Sequence, residues 1–151
     1  MADIRHSIQI AAPVEDVFRL TAAGSGFLQW WAEDVSESDG MAELGFFRRT
    51  TVYRLKLIEA LSPNPSGAHI GHPRAEWLCT TGNEWCGTRI MFDMQTANGG
   101  TLLSFVHAGW AAETAYFVSC NTTWGALMFR LKAAAEGQRM GPLFGKEGMG
   151  Y

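Results

Sequence analysis

The chain has 151 residues, 12 basic and 15 acidic side chains, a net charge of −3 and 47% hydrophobic residues, which suits one domain with a substantial core. No basic run could track a phosphate backbone, apolar runs fall far short of the roughly 20 residues a membrane helix needs, and the N-terminus lacks a signal-peptide core. Nucleic-acid binding and membrane insertion are therefore not expected, and a cytoplasmic location is.

Asp3 to Ile10 alternates, with Ile4, Ile8 and Ile10 on one face, and reads as a first strand. Pro13 suits a first helical position, Glu15 and Asp16 suit the positive end of a helix dipole, and Val14, Val17 and Phe18 form an apolar stripe, so a short helix follows. Phe27, Trp30 and Trp31 at i, i+3 and i+4 predict a second short helix capped by Ser25. A weak strand at 34–38, a turn at Asp39-Gly40 and a strand from Ala42 to Arg49 make a hairpin. Thr51 to Leu61 sets Tyr53, Leu55 and Leu57 against Arg54 and Lys56. Ser62 to Pro73 has no periodicity and reads as a long loop, after which Ala75 to Thr80 resumes the sheet.

Gly87 to Met94 and Gly100 to Gly109 are strands joined by a turn at Asn98-Gly99-Gly100, the first turning Ile90, Phe92 and Met94 to one side and the second Thr101, Leu103, Phe105 and His107. Glu113 to Glu136 then forms a long helix with Tyr116, Cys120, Trp124, Leu127 or Met128, and Leu131 on one face, ended by Gly137. The order predicts an α+β fold in residues 1–136: a curved antiparallel sheet wrapped around a long C-terminal helix, with two short helices after the first strand. The glycine-rich segment 137–151 lacks a periodic apolar pattern and is expected to be a mobile tail.

The spacing Ile8-x-Ile10-x-Ala12-Pro13-x-Glu15-x-Val17-Phe18, then Trp30-Trp31, Gly45-x-Phe47, Glu76-Trp77, Gly87-Thr88-x-Ile90-x-Phe92, Gly100-Thr101-x-Leu103-x-Phe105-x-His107-x-Gly109 and Trp124-x-x-x-Met128-x-x-Leu131-Lys132 resembles the SRPBCC superfamily. This is the START or Bet v I-like helix-grip group, and the likeness is nearest to its AHSA family, homologues of an activator of a heat-shock-protein ATPase. The resemblance spans residues 3–136 and implies a pocket between sheet and helix that, in relatives, takes lipids, sterols or polyketides. The 62–74 loop and the glycine-rich tail depart from the family pattern, and the eukaryotic co-chaperone's separate N-terminal domain has no counterpart in this sequence.

The expected ligand is a small hydrophobic or amphipathic molecule, lipid-like or polyketide-like, held by Tyr53, Trp77, Phe92, Leu103, Phe105, His107, Tyr116, Phe117, Cys120 and Trp124. His107 has three readings: a structural histidine, a polar anchor for ligand, or a weak candidate for acid/base catalysis in a cyclase or aromatase-type enzyme. A third function class is a stress-response or chaperone-associated interaction module, and a homodimer is left open. Ser119, Asn121 and Thr123 would add polarity if turned inward, and Glu33 and Asp34 would border the entrance or sit in a solvated turn. Cys79, Cys86 and Cys120 contain no Cys-x-x-Cys pair and read as reduced thiols, while His69 and His72 lack a third ligand, so neither a metal nor a cofactor is expected.

Overall fold

The computed structural model describes residues 1–63 and 72–150. Its elements are β1 (Ala2–Ile10), α1 (Val14–Thr21), α2 (Gly24–Phe27), β2 (Asp34–Ser38), β3 (Met41–Phe46), β4 (Thr51–Leu61), β5 (Arg74–Cys79), β6 (Arg89–Ala97), β7 (Gly100–Trp110) and α3 (Ala115–Ala135). The strands form one antiparallel seven-stranded sheet in the order β1-β7-β6-β5-β4-β3-β2, so α1 and α2 carry the chain from one edge of the sheet to the other. This is the expected α+β helix grip.

Local sequence explains most of the path. Asp39 and Gly40 (φ 52° and 76°) and Asn98 and Gly99 (φ 52° and 75°) adopt the paired left-handed conformations that suit the twist of two-residue hairpins. Between β3 and β4 the turn is different: Phe47, Arg48 and Arg49 all have positive φ, at 52°, 54° and 65°. Each such non-glycine residue costs roughly 1–2 kcal/mol, so this turn persists only if its neighbours hold it. It also ends β3 at Phe46, three residues before the Arg49 boundary expected from sequence.

α1 buries Val14, Val17 and Leu20 as its apolar stripe requires. The second helix differs from expectation: it spans Gly24–Phe27, its N-cap is Ala23 with no side-chain cap, and Trp30 and Trp31 follow in a turn whose N–H groups bond to the Phe27 carbonyl at 3.3 and 2.8 Å. Glycine at 26 lets α2 lie against α1, since a Cβ there would stand 2.6 Å from the carbonyl oxygens of Arg19 and Leu20.

α3 is capped at both ends. Thr114 accepts the N–H of Phe117 at 3.2 Å, and at the other end the Gln138 and Gly137 N–H groups return to the carbonyls of Ala133 and Ala134, with Gly137 at φ 85°. The helix is tied to β1 by Lys132 Nζ on the Gln9 carbonyl (3.0 Å) and by the Ala11 N–H on Glu136 Oε2 (2.7 Å). Its inward face is Phe117, Cys120, Trp124, Leu127, Met128 and Leu131. Tyr116, expected on that face, sits at its edge and is 39% exposed.

The segment after Gly137 does not stand free as the expected mobile tail would. Leu143 and Phe144 are buried, and their N–H groups donate to the carbonyls of Trp30 and Trp31 at 3.0 and 2.9 Å. Turn geometry at 28–31 leaves those carbonyls without helical partners, and the tail takes them. Most of the loop expected at Ser62–Pro73, including His69, lies outside the described residues; His72 Nδ1 is 3.1 Å from Asp93 Oδ1. Among the described residues no group of three or more side chains could hold a metal ion, and no helix is long and apolar enough to cross a membrane.

Candidate functional site

A cleft of about 180 Å³ lies between the first turns of α3, the β3–β4 hairpin and the tail, lined by Trp31, Phe46, Phe47, Thr51, Tyr53, Trp85, Tyr116, Ser119, Cys120, Thr123, Trp124, Leu127, Phe144 and Met149. None of these side chains is charged. Tyr53 stacks on Trp85 at 4.0 Å between centroids and 8° between planes, Trp85 is parallel-offset to Trp124 at 6.1 Å, and Trp124 meets Trp31 at 4.9 Å. Aromatic surfaces thus form one wall, and the hydroxyl and thiol groups of Tyr53, Tyr116, Ser119, Cys120 and Thr123 provide the polarity.

The Tyr53 and Tyr116 hydroxyls are 2.5 Å apart, joining β4 to α3. Either can donate to the other, so the acceptor's own proton remains free for a further partner. Burial raises the pKa of both phenols, and the bond to Tyr53 raises that of Tyr116 further. Burial likewise pushes the Cys120 thiol up. At neutral pH the cleft therefore presents neutral O–H and S–H groups. Among the described residues the buried Trp85 indole N–H has no hydrogen-bond partner, with the Cys120 thiol as its polar neighbour.

His107 stands behind this wall. Its Nδ1 accepts the Trp124 indole N–H at 3.1 Å, and its Nε2 is 2.8 Å from the Thr88 hydroxyl. A neutral imidazole that accepts at Nδ1 carries its proton on Nε2, which then donates to Thr88; the Thr88 hydroxyl is left to donate to the Trp85 carbonyl at 2.5 Å. One relay therefore fixes Trp124 and the backbone of Trp85, two members of the wall. Burial lowers the His107 pKa to about 3, so it is neutral across the physiological range. Both of its nitrogens are occupied and its side chain is fully buried behind the cleft lining.

Of the residues expected to bind ligand, Tyr53, Tyr116, Cys120 and Trp124 line the cleft. Trp77, Phe92, Leu103, Phe105 and Phe117 are packed core: Phe92 meets Phe105 at 5.5 Å, Phe105 meets Trp124 at 4.4 Å, and the Trp77 indole donates to the Thr21 carbonyl at 2.9 Å. Rings from the 27–31 turn pack over Trp77 of β5 and Phe92 of β6, and the cleft lies at the β3–β4 end. Ser119 and Thr123 do reach the cleft, whereas Asn121 is exposed and its carbonyl lies 3.2 Å from His6 Nε2. Glu33 and Asp34 have structural partners, the Lys146 N–H at 2.9 Å and Arg49 at 2.9 Å. Sequence reading missed Trp31, Phe46, Phe47, Trp85, Phe144 and Met149 as lining residues. Trp85 lies on a loop and Phe144 in a glycine-rich run, where no periodicity marks a buried face.

No family model matches the chain, and no curated protein matches it. Solved structures do. The Aha1 dimer from Colwellia psychrerythraea is 26% identical, with 91% of this chain and 98% of that one covered and a TM-score of 0.72. CalU16 from Micromonospora echinospora is 16% identical over 92% of this chain and 68% of that one, at TM-score 0.62. DynU16, from the dynemicin biosynthetic locus, is 13% identical over 89% of this chain and 47% of that one, at 0.64. The last two carry only the shared fold. The sequence motifs and the likeness to the Aha1 dimer agree with the SRPBCC helix-grip superfamily, near its AHSA branch.

Proposed function

We propose that this protein binds a small, uncharged, ring-sized amphipathic molecule in the cleft beside α3. The observation that carries the reading is an uncharged, aromatic-walled cavity of about 180 Å³. A dry cavity of about 150 Å³ accepts benzene, whereas pockets for larger ligands run from about 300 Å³ upward. One substituted ring therefore fits the cleft as it stands, and a sterol or long polyketide does not. A charged ligand would lose its hydration with no opposite charge in the lining. Burying one ring contributes roughly 1.5–3 kcal/mol and one neutral hydrogen bond about 1 kcal/mol more, so a Kd of about 1–15 mM is expected. The free hydroxyl of the Tyr53–Tyr116 pair supplies the polar contact.

The probe is p-cresol, titrated into isotope-labelled protein. Amide shifts should concentrate at Ser119, Cys120 and Thr123, and Tyr116→Phe should weaken binding by about threefold to tenfold, the worth of one neutral hydrogen bond. No shift at these amides with p-cresol raised to about 20 mM would remove the reading.

The likeness to a protein described as a dimer favours a second reading, pairing with another copy of this chain. Residues 115–129 of α3 contain no charge, and Val118 and Phe129 on the outward face are 59% and 67% exposed. Sedimentation velocity at rising concentration checks this; a monomer throughout would exclude it.

A further inference from the structure

The tail that closes the cleft is built as a loop with a fixed base and a separable tip. Arg130, on α3, holds the base: Nη1 donates to the carbonyls of Gly141 and Pro142 at 3.1 and 3.3 Å, and Nη2 donates to that of Gly150. Leu143 is buried beside the Trp30 carbonyl it donates to. The tip, residues 144–149, turns back on itself through the Gly145 N–H on the Gly148 carbonyl at 2.9 Å, and it is tied to residues 31–33 by the Phe144 N–H on the Trp31 carbonyl (2.9 Å), the Glu33 N–H on the Phe144 carbonyl (3.0 Å) and the Lys146 N–H on Glu33 Oε1 (2.9 Å). It reaches the β3–β4 turn by three contacts: the Phe144 ring on Phe46 (4.9 Å) and Phe47 (6.0 Å), the Arg48 N–H on the Lys146 carbonyl (2.9 Å), and the Arg48 side chain on Glu147. The turn it clasps is the one holding three successive non-glycine residues in the left-handed region. Strained backbone is thus held by the same contacts that close the cavity, and the ion pair among them is solvent-exposed and adds little.

We propose that the tip of the tail is a removable wall that sets the ligand size: with Phe144 seated the cleft takes one ring, and with the tip lifted from the β3–β4 turn it takes two fused rings. Lifting the tip unseats one ring, exchanges the bonds to Trp31 and Glu33 for bonds to water and releases strain in the turn, while Arg130 and Leu143 keep the base in place. The proposal rests on the ring-binding reading above, and its test separates the two.

Phe144→Ala and the unaltered protein are titrated with p-cresol and with 1-naphthol by calorimetry. In the variant the preference for 1-naphthol over p-cresol should rise about tenfold or more, as expected for one further buried ring face. If p-cresol binds both proteins and 1-naphthol gains nothing, the proposal is overturned. If p-cresol binds neither, the ring-binding reading fails, and the ligand half of this proposal with it. Amide exchange decides the opening without any ligand. The Phe144 N–H should exchange at least about a hundredfold faster than Val106 in β7, and faster again in Arg48→Ala, which leaves the cavity lining intact. Exchange of Phe144 as slow as that of Val106 would show a fixed wall and overturn the opening.

Discussion

His107 offers a direct test of the relay behind the cleft. Folding takes its imidazole from an ordinary pKa of 6.5 to about 3, through burial among Trp85, Trp110, Trp124 and Thr88. Between those two values the unfolded chain binds the extra proton, so stability is complete above pH 6.5, falls as the pH drops through it, and stops falling once the folded imidazole itself titrates near 3. At about pH 5 the gap below the unfolded value is roughly 1.5 units, so at 1.36 kcal/mol per unit the protein should lose about 2 kcal/mol relative to neutral pH. Glu43 and Glu136, whose pKa values are lowered from 4.5 by their basic partners, contribute losses only at lower pH. His107→Phe removes this dependence and, by leaving the buried Trp124 N–H without an acceptor, costs about 1–3 kcal/mol at neutral pH. Urea unfolding followed by tryptophan fluorescence at about pH 7, 6 and 5 measures both effects. Equal stability at pH 7 and 5 in the unaltered protein, or the same loss in His107→Phe, would refute the assigned neutral tautomer and its relay.

Gly26→Ala would place a methyl group 2.6 Å from the Arg19 and Leu20 carbonyl oxygens, and should destabilise the chain by at least about 1–3 kcal/mol in urea unfolding because backbone, not a flexible side chain, stands in the way. Thr114→Ala removes the α3 cap and should lower stability by about 1 kcal/mol in the same assay; Thr114→Ser, which keeps both the cap and the donor to Glu84, should restore most of it. Among the thiols, exposed Cys86 should react with a disulfide reagent within minutes, while Cys79, buried and pushed up to about 12, should react only on unfolding; rapid labelling of Cys79 would contradict the packing of β5.

The sheet and its long helix were legible because burial imposes a period. Ile90, Phe92 and Met94, and Thr101, Leu103, Phe105 and His107, alternate as strands with one buried face must, and all are buried as expected. The turns at Asp39-Gly40 and Asn98-Gly99 were legible too, because left-handed pairs select those residue types. The left-handed run at Phe47, Arg48 and Arg49 carried no such signal, since the contacts that hold it come from Lys146, Glu147 and Phe144, about a hundred residues away in sequence.

The candidate site divides the same way. Alternation could put Phe92, Phe105 and His107 on the inner face of the sheet, but not say which inner residues meet a cavity and which meet another ring. The rings of Phe27, Trp30 and Trp31, brought across by α1 and α2, fill the space over Trp77 and Phe92, while Phe144 closes the remaining end. The sequence by itself therefore determined the elements, their inward faces and the grip, all of which follow from local periodicity and turn chemistry. Tertiary structure alone decided where empty space survives and that His107 lies behind the cleft wall, bonded to Trp124 and Thr88, because a cavity is the volume left over after side chains distant in sequence have packed.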